Sequence, residues 1–88
     1  SAHDSRMSDP TELLKQRAGA ESLAIKDIEQ DPNNAVFVPL IKAMRAARES
    51  NQNPMEVIDS YDFGQYPFLK DLFKQKLAEI SSRYMGGR

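Results

Sequence analysis

The chain has no cysteine and no tryptophan, a single histidine and only four glycines. Without cysteine there are no disulfides, no thiolate metal ligands and no thiol nucleophile. The longest uninterrupted apolar run, Ala35 to Ile41, falls far short of the ~18–20 residues that a membrane-spanning helix needs, so no membrane partner is expected. Gly19, Gly64, Gly86 and Gly87 do not gather into a phosphate-binding loop. Neither a His-Glu-x-x-His zinc motif nor a calcium loop of alternating carboxylates ending in glutamate is present. The lone His3 lies in a polar, aperiodic leader. No excess of one charge exists either: twelve Lys+Arg face thirteen Asp+Glu, a net charge of -1, which argues against a uniformly basic nucleic-acid binder. The expectation is a protein that is not an enzyme and uses no cofactor or metal.

What is present is a globular composition in 88 residues, 40 % hydrophobic, 28 % charged and 8 % aromatic. A domain of this size hides only about 60–65 % of its unfolded-chain surface, so close helix packing or association must supply stability. The first six residues, Ser-Ala-His-Asp-Ser-Arg, precede Met7 and read as an appended scar or a disordered N-terminus. Residues 7–85 read as one helical domain, and 86–88 as a flexible tail. The start lacks the ~7–15-residue apolar stretch of a secretory signal, which with the missing cysteines gives an intracellular, cytoplasmic location as the expectation.

Helix starts are well marked. Asp9-Pro10-Thr11-Glu12 sets an acceptor at N-cap, proline at N1 and glutamate at N3, and Asn53-Pro54-Met55-Glu56 repeats that logic. Asp31-Pro32-Asn33-Asn34 stops one helix, and Asn34 is expected to cap the next. Tyr66-Pro67 opens a last segment without a good capping side chain. The pattern predicts an all-α fold, a compact bundle of about four helices at roughly 10–30, 34–50, 54–61 and 67–85. The first carries Leu14, Ala18, Ile25 and Ile28 on one stripe, widened by Leu13, Leu23 and Ala24. Gly19 in its middle predicts a kink or close packing. The second carries Val36, Phe37, Leu40, Ile41, Met44 and Ala47, and Pro39 either bends it or marks its true start. Met55, Val57, Ile58 and Tyr61 are the apolar positions of the short third helix. The fourth presents Leu69, Leu72, Phe73, Leu77, Ile80 and Tyr84 on one face with Phe68 beside it.

Charge is polarised along the chain. Residues 1–34 hold four cations and seven acids, net -3; the C-terminal quarter holds five cations against Asp71 and Glu79, net +3. Lys42, Arg45 and Arg48 recur every third residue, and with Lys70 and Lys74 they form a candidate phosphate-binding set. The ordinary account is that cations suit helix C-termini. Glu56, Asp59 and Asp62 share the same spacing; oxygen ligands of that kind suit Mg²⁺ or Ca²⁺. The simpler reading is a solvated acidic face, with Glu56 serving the cap and Asp62 the turn. Five aromatic residues, Tyr61, Phe63, Tyr66, Phe68 and Phe73, fall within thirteen positions around Gly64. They either plug the end of a small core or anchor a partner, since large rigid side chains dominate binding hot spots.

The stretch from Ala24 to Ala35 resembles the junction between tetratricopeptide repeats, where an amphipathic helix ends in an Asp-Pro-Asn-Asn turn. The likeness extends over about a dozen residues. Where that family carries an aromatic, Leu-Gly and Tyr, this chain has Val38, Pro39, Leu40, Ile41 and Lys42, and no second copy follows about 34 residues on. The turn chemistry is shared without the repeat.

The functional expectation is a protein–protein interaction module, an adaptor, assembly or regulatory subunit, or a homodimer. It would bury Phe63, Tyr66, Phe68, Leu72 and Phe73 against a protein partner or a second copy. The alternative is a nucleic-acid-associated module using Lys42, Arg45, Arg48, Lys70 and Lys74.

Overall fold

The computed structural model describes residues 10–86. Four α-helices and one 3₁₀ segment follow one another: α1 (Pro10–Gln30), η1 (Pro32–Phe37), α2 (Val38–Glu49), α3 (Pro54–Ser60) and α4 (Phe68–Gly86). No strand occurs among the described residues, so the all-α reading holds. No helix among them is long and apolar enough to cross a membrane.

Local chemistry sets the boundaries. Asp31, not Asn34, caps the segment after α1: its carboxylate accepts from Asn33 N at 3.0 Å, and Pro32 follows at the first position. Asn34 does a different job. It is buried, and its Nδ2 donates at 2.9 Å to the Ile28 carbonyl, which also accepts from Asp31 N at 3.3 Å. Residues 32–37 are therefore 3₁₀ rather than the start of a long helix, and Pro39 sits in the first turn of α2, where its missing N–H costs no hydrogen bond. Of the two readings of Pro39, the one in which it marks the start of the second helix holds. At the far end of α2, Gln52 N bonds the Ala47 carbonyl and Asn51 N the Arg48 carbonyl, with Asn51 at φ 60°. That is a Schellman closure with asparagine in the left-handed position. Asn53 then caps α3 as its sequence implies, accepting from Met55 N at 3.0 Å. The Asp9 cap and Gly87 lie outside the described residues.

The core is one cluster: Ala24, Ile25 and Ile28 from α1, Leu40, Ile41 and Met44 from α2, Ile58 from α3, and Phe73 and Leu77 from α4. Each fully buried aliphatic side chain contributes about 1.5–3 kcal/mol. Aromatic rings close one end. Phe37 meets Phe73 edge-on with centroids 4.9 Å apart, and Tyr61 meets Phe63 at the same distance. Such pairs add about 0.5–1.5 kcal/mol each beyond the area they bury.

Helices α1 and α4 are antiparallel: Asp31 and Lys76 line one end of their contact, and Leu23 and Met85 the other. The first two turns of α1 lie outside the core. Every residue from Pro10 to Arg17 is exposed. Leu13 and Leu14, expected on the core stripe, are exposed with them, and Leu23, expected there too, is 46 % exposed further along α1. Gly19 lies inside the unbroken α1 and does not pack closely, since a Cβ there would meet nothing within 4 Å.

Candidate interaction surface

The five residues expected to bind a partner separate into two groups. Phe73 is 6 % exposed and belongs to the core, and Phe63 is half-buried against it. Their rings lie 5.9 Å apart and serve the fold, so the expectation that they present surface to a partner is corrected. Tyr66, Phe68 and Leu72 are 55 %, 58 % and 51 % exposed.

Helical geometry explains the division. At about 100° per residue, Phe68 lies about 180° and Leu72 about 140° around α4 from Leu77, which is wholly buried. Phe68 and Leu72 are also four residues apart, so they stack on one outward face. Tyr66 joins them from the preceding loop, its ring 6.1 Å from that of Phe68 and nearly perpendicular at 89°. Two hydrogen bonds hold the loop in place: Tyr66 N to the Phe63 carbonyl at 3.1 Å, and Gly64 N to Asp62 Oδ1 at 2.8 Å. Gly64 has φ +62°, a conformation that favours glycine. The backbone that carries the exposed aromatic pair is thus hydrogen-bonded within the chain.

The basic set does not form one phosphate-binding face. Arg45 pairs with Glu29, Arg48 with Glu21, and Lys74 Nζ with Asp59 Oδ1 at 2.8 Å. Arg48 is mostly buried in its pair. Lys42 stays exposed on α2, and Lys70 is half-buried on α4. The acidic triplet is also divided: Asp59 answers Lys74, Asp62 closes the Gly64 turn, and Glu56 lies in the first turn of α3. Among the described residues no group of three or more His, Asp or Glu side chains could hold a metal ion.

A second feature escaped the sequence reading. Beneath the overhanging start of α1 a half-open cleft of about 510 Å³ runs between α1, the end of α4 and the turn joining α2 to α3. Leu14, Arg17, Arg48 and Met85 are among its walls. Nearby, Tyr84 Oη donates to Asp27 Oδ2 at 2.6 Å, tying the last turns of α4 to α1. That hydrogen bond, helped by desolvation and the Asp27 charge, holds the Tyr84 phenol above its ordinary pKa, against a smaller lowering by Arg83.

No protein-family model, curated protein or solved structure matches the chain.

Proposed function

We propose that the chain is a small protein–protein interaction module whose docking face is the outer side of α4. The observation that carries this reading is the exposure of Phe68 and Leu72 on the face turned away from the core, extended by Tyr66. Rigid aromatic anchors of this kind contribute most of the binding energy in protein interfaces at low conformational cost. The nucleic-acid alternative draws little support, since three of its five cations are already paired with carboxylates.

A second copy is the partner favoured by charge. Asp71 and Lys76 are exposed on opposite flanks of the Phe68–Leu72 stripe and five residues apart. That spacing brings opposite charges together across a parallel two-helix seam, where flanking positions set register and partner choice. In such a dimer Leu72 would meet its own counterpart, and Asp71 would face the other copy's lysine.

The charge pair supplies the test, read by sedimentation equilibrium. Asp71→Lys or Lys76→Asp alone should weaken association, and the two together should restore it toward wild type. Equal, additive weakening in the double variant would remove the proposed register.

A further inference from the structure

The cleft at the other end of the molecule carries a separate inference, independent of the α4 docking face. Its volume of about 510 Å³ falls within the roughly 300–1,000 Å³ typical of small-molecule sites. Its walls are of two kinds. Leu14 of α1, Met55 of α3 and Met85 of α4 supply apolar surface, while Arg17, Arg48 and Glu21 supply charge. Arg48 and Glu21 neutralise one another, which leaves Arg17 as the uncompensated charge, exposed at the edge of the cleft.

The wall also holds unused hydrogen-bonding capacity. Ser81 is more than nine-tenths buried and its Oγ has no partner; Arg48 Nε is likewise buried and unpartnered. Buried polar groups without partners are uncommon in folded proteins and call for an explanation such as a water, an ion or a ligand. Ser81 lines the cleft one turn before Met85 on α4.

From this juxtaposition we infer that the cleft binds an aliphatic carboxylate. The carboxylate accepts hydrogen bonds from the Arg17 guanidinium, with Ser81 as an additional donor, and the alkyl chain lies along Leu14, Met55 and Met85. Arg17 suits this role because its planar fork matches a carboxylate's two oxygens. Glu21 does not oppose the anion, because its charge is already answered by Arg48. The shared chemistry fits either a free fatty acid or the C-terminal carboxylate of a peptide ending in leucine or methionine.

The test is titration of the full chain with octanoate, followed by backbone amide NMR. Octanoate should shift amides lining the cleft, notably those of Arg17, Gln52, Ser81 and Met85. Octanol, with the same chain and no charge, should bind at least about tenfold more weakly, the scale of one charge-assisted hydrogen bond. Arg17→Gln should erase that difference, and Leu14→Asn should weaken both ligands. An acetylated peptide ending in leucine, compared with its C-terminal amide, separates the two sources: a carboxylate-dependent shift at the same amides assigns the site to peptide ends, and octanoate binding alone assigns it to fatty acids. Leu72→Glu, on another face of α4, should leave octanoate binding unchanged, so failure here and failure of the docking reading remain separate results. Absence of shifts with every carboxylate, equal affinity for octanol, or an unchanged Arg17→Gln variant would each overturn the inference.

Discussion

The Arg48 guanidinium meets the Glu21 carboxylate where α1 crosses α2, with the two side chains only 16 % and 11 % exposed. Removing one partner strands the other in a poorly solvated place, which costs more than the intact pair contributes. Arg48→Ala should therefore destabilise the protein by about 2–4 kcal/mol in urea unfolding. Replacing both residues together, Arg48→Met with Glu21→Leu, should recover stability to within about 1 kcal/mol of wild type. A single variant no less stable than the double one would show the pair to be solvated.

Opposite faces of α4 should respond differently to truncation. Leu77→Ala empties space in the core and should cost about 2–5 kcal/mol, whereas Leu72→Ala, already half in water, should stay within about 0.5 kcal/mol for the monomer. Thermal unfolding at low protein concentration distinguishes them. Similar losses for both would mean that the outer face is covered in the same chain.

Gly19→Ala should stabilise the protein. The position lies inside a helix, has open space around a would-be Cβ and does not need positive φ. Alanine there restores about 0.5–1 kcal/mol, which in a domain of this length raises Tm by about 2–8 °C. A lower Tm would indicate that something packs against the bare backbone.

Stability should also fall in alkali through Tyr84. Its phenol is raised above the ordinary value of 10.0, first by the hydrogen bond to Asp27. A group whose folded pKa is raised contributes fully below the unfolded value, and that contribution disappears as pH climbs through the folded one. Phenolate absorbance of the wild type minus that of Tyr84→Phe should isolate one group titrating above 10.0, and the stability difference between the two should vanish in the same alkaline window. A midpoint at or below 10.0 would contradict the contact.

Much of the fold was legible because it is written locally. Asn53-Pro54 announces α3 by cap chemistry acting over two residues, and Ile25, Ile28, Leu40, Ile41 and Met44 follow helical spacing into the core. The readings that changed depend on partners distant in the chain. Periodicity marks the face of α1 that carries Leu13 and Leu14, but not that these two stay outside the packed core. Nor could it separate Phe73 from Phe68, because α4 carries apolar residues on both sides and only the packed structure decides which side meets α1, α3 and Phe37 of η1. Spacing alone puts Arg48 in a row of cations, whereas its partner Glu21 stands 27 positions earlier in the chain. The cleft depends on three separate segments meeting, which spacing along one helix does not encode.

The central claim, that the outer face of α4 joins two copies, is tested most directly by light scattering across a concentration series. The wild type should shift from its monomer mass of 9.9 kDa toward twice that value as concentration rises, and Leu72→Glu should stay monomeric while keeping its helical circular dichroism. A wild type that remains at 9.9 kDa throughout, or a dimer indifferent to Leu72→Glu, would contradict it.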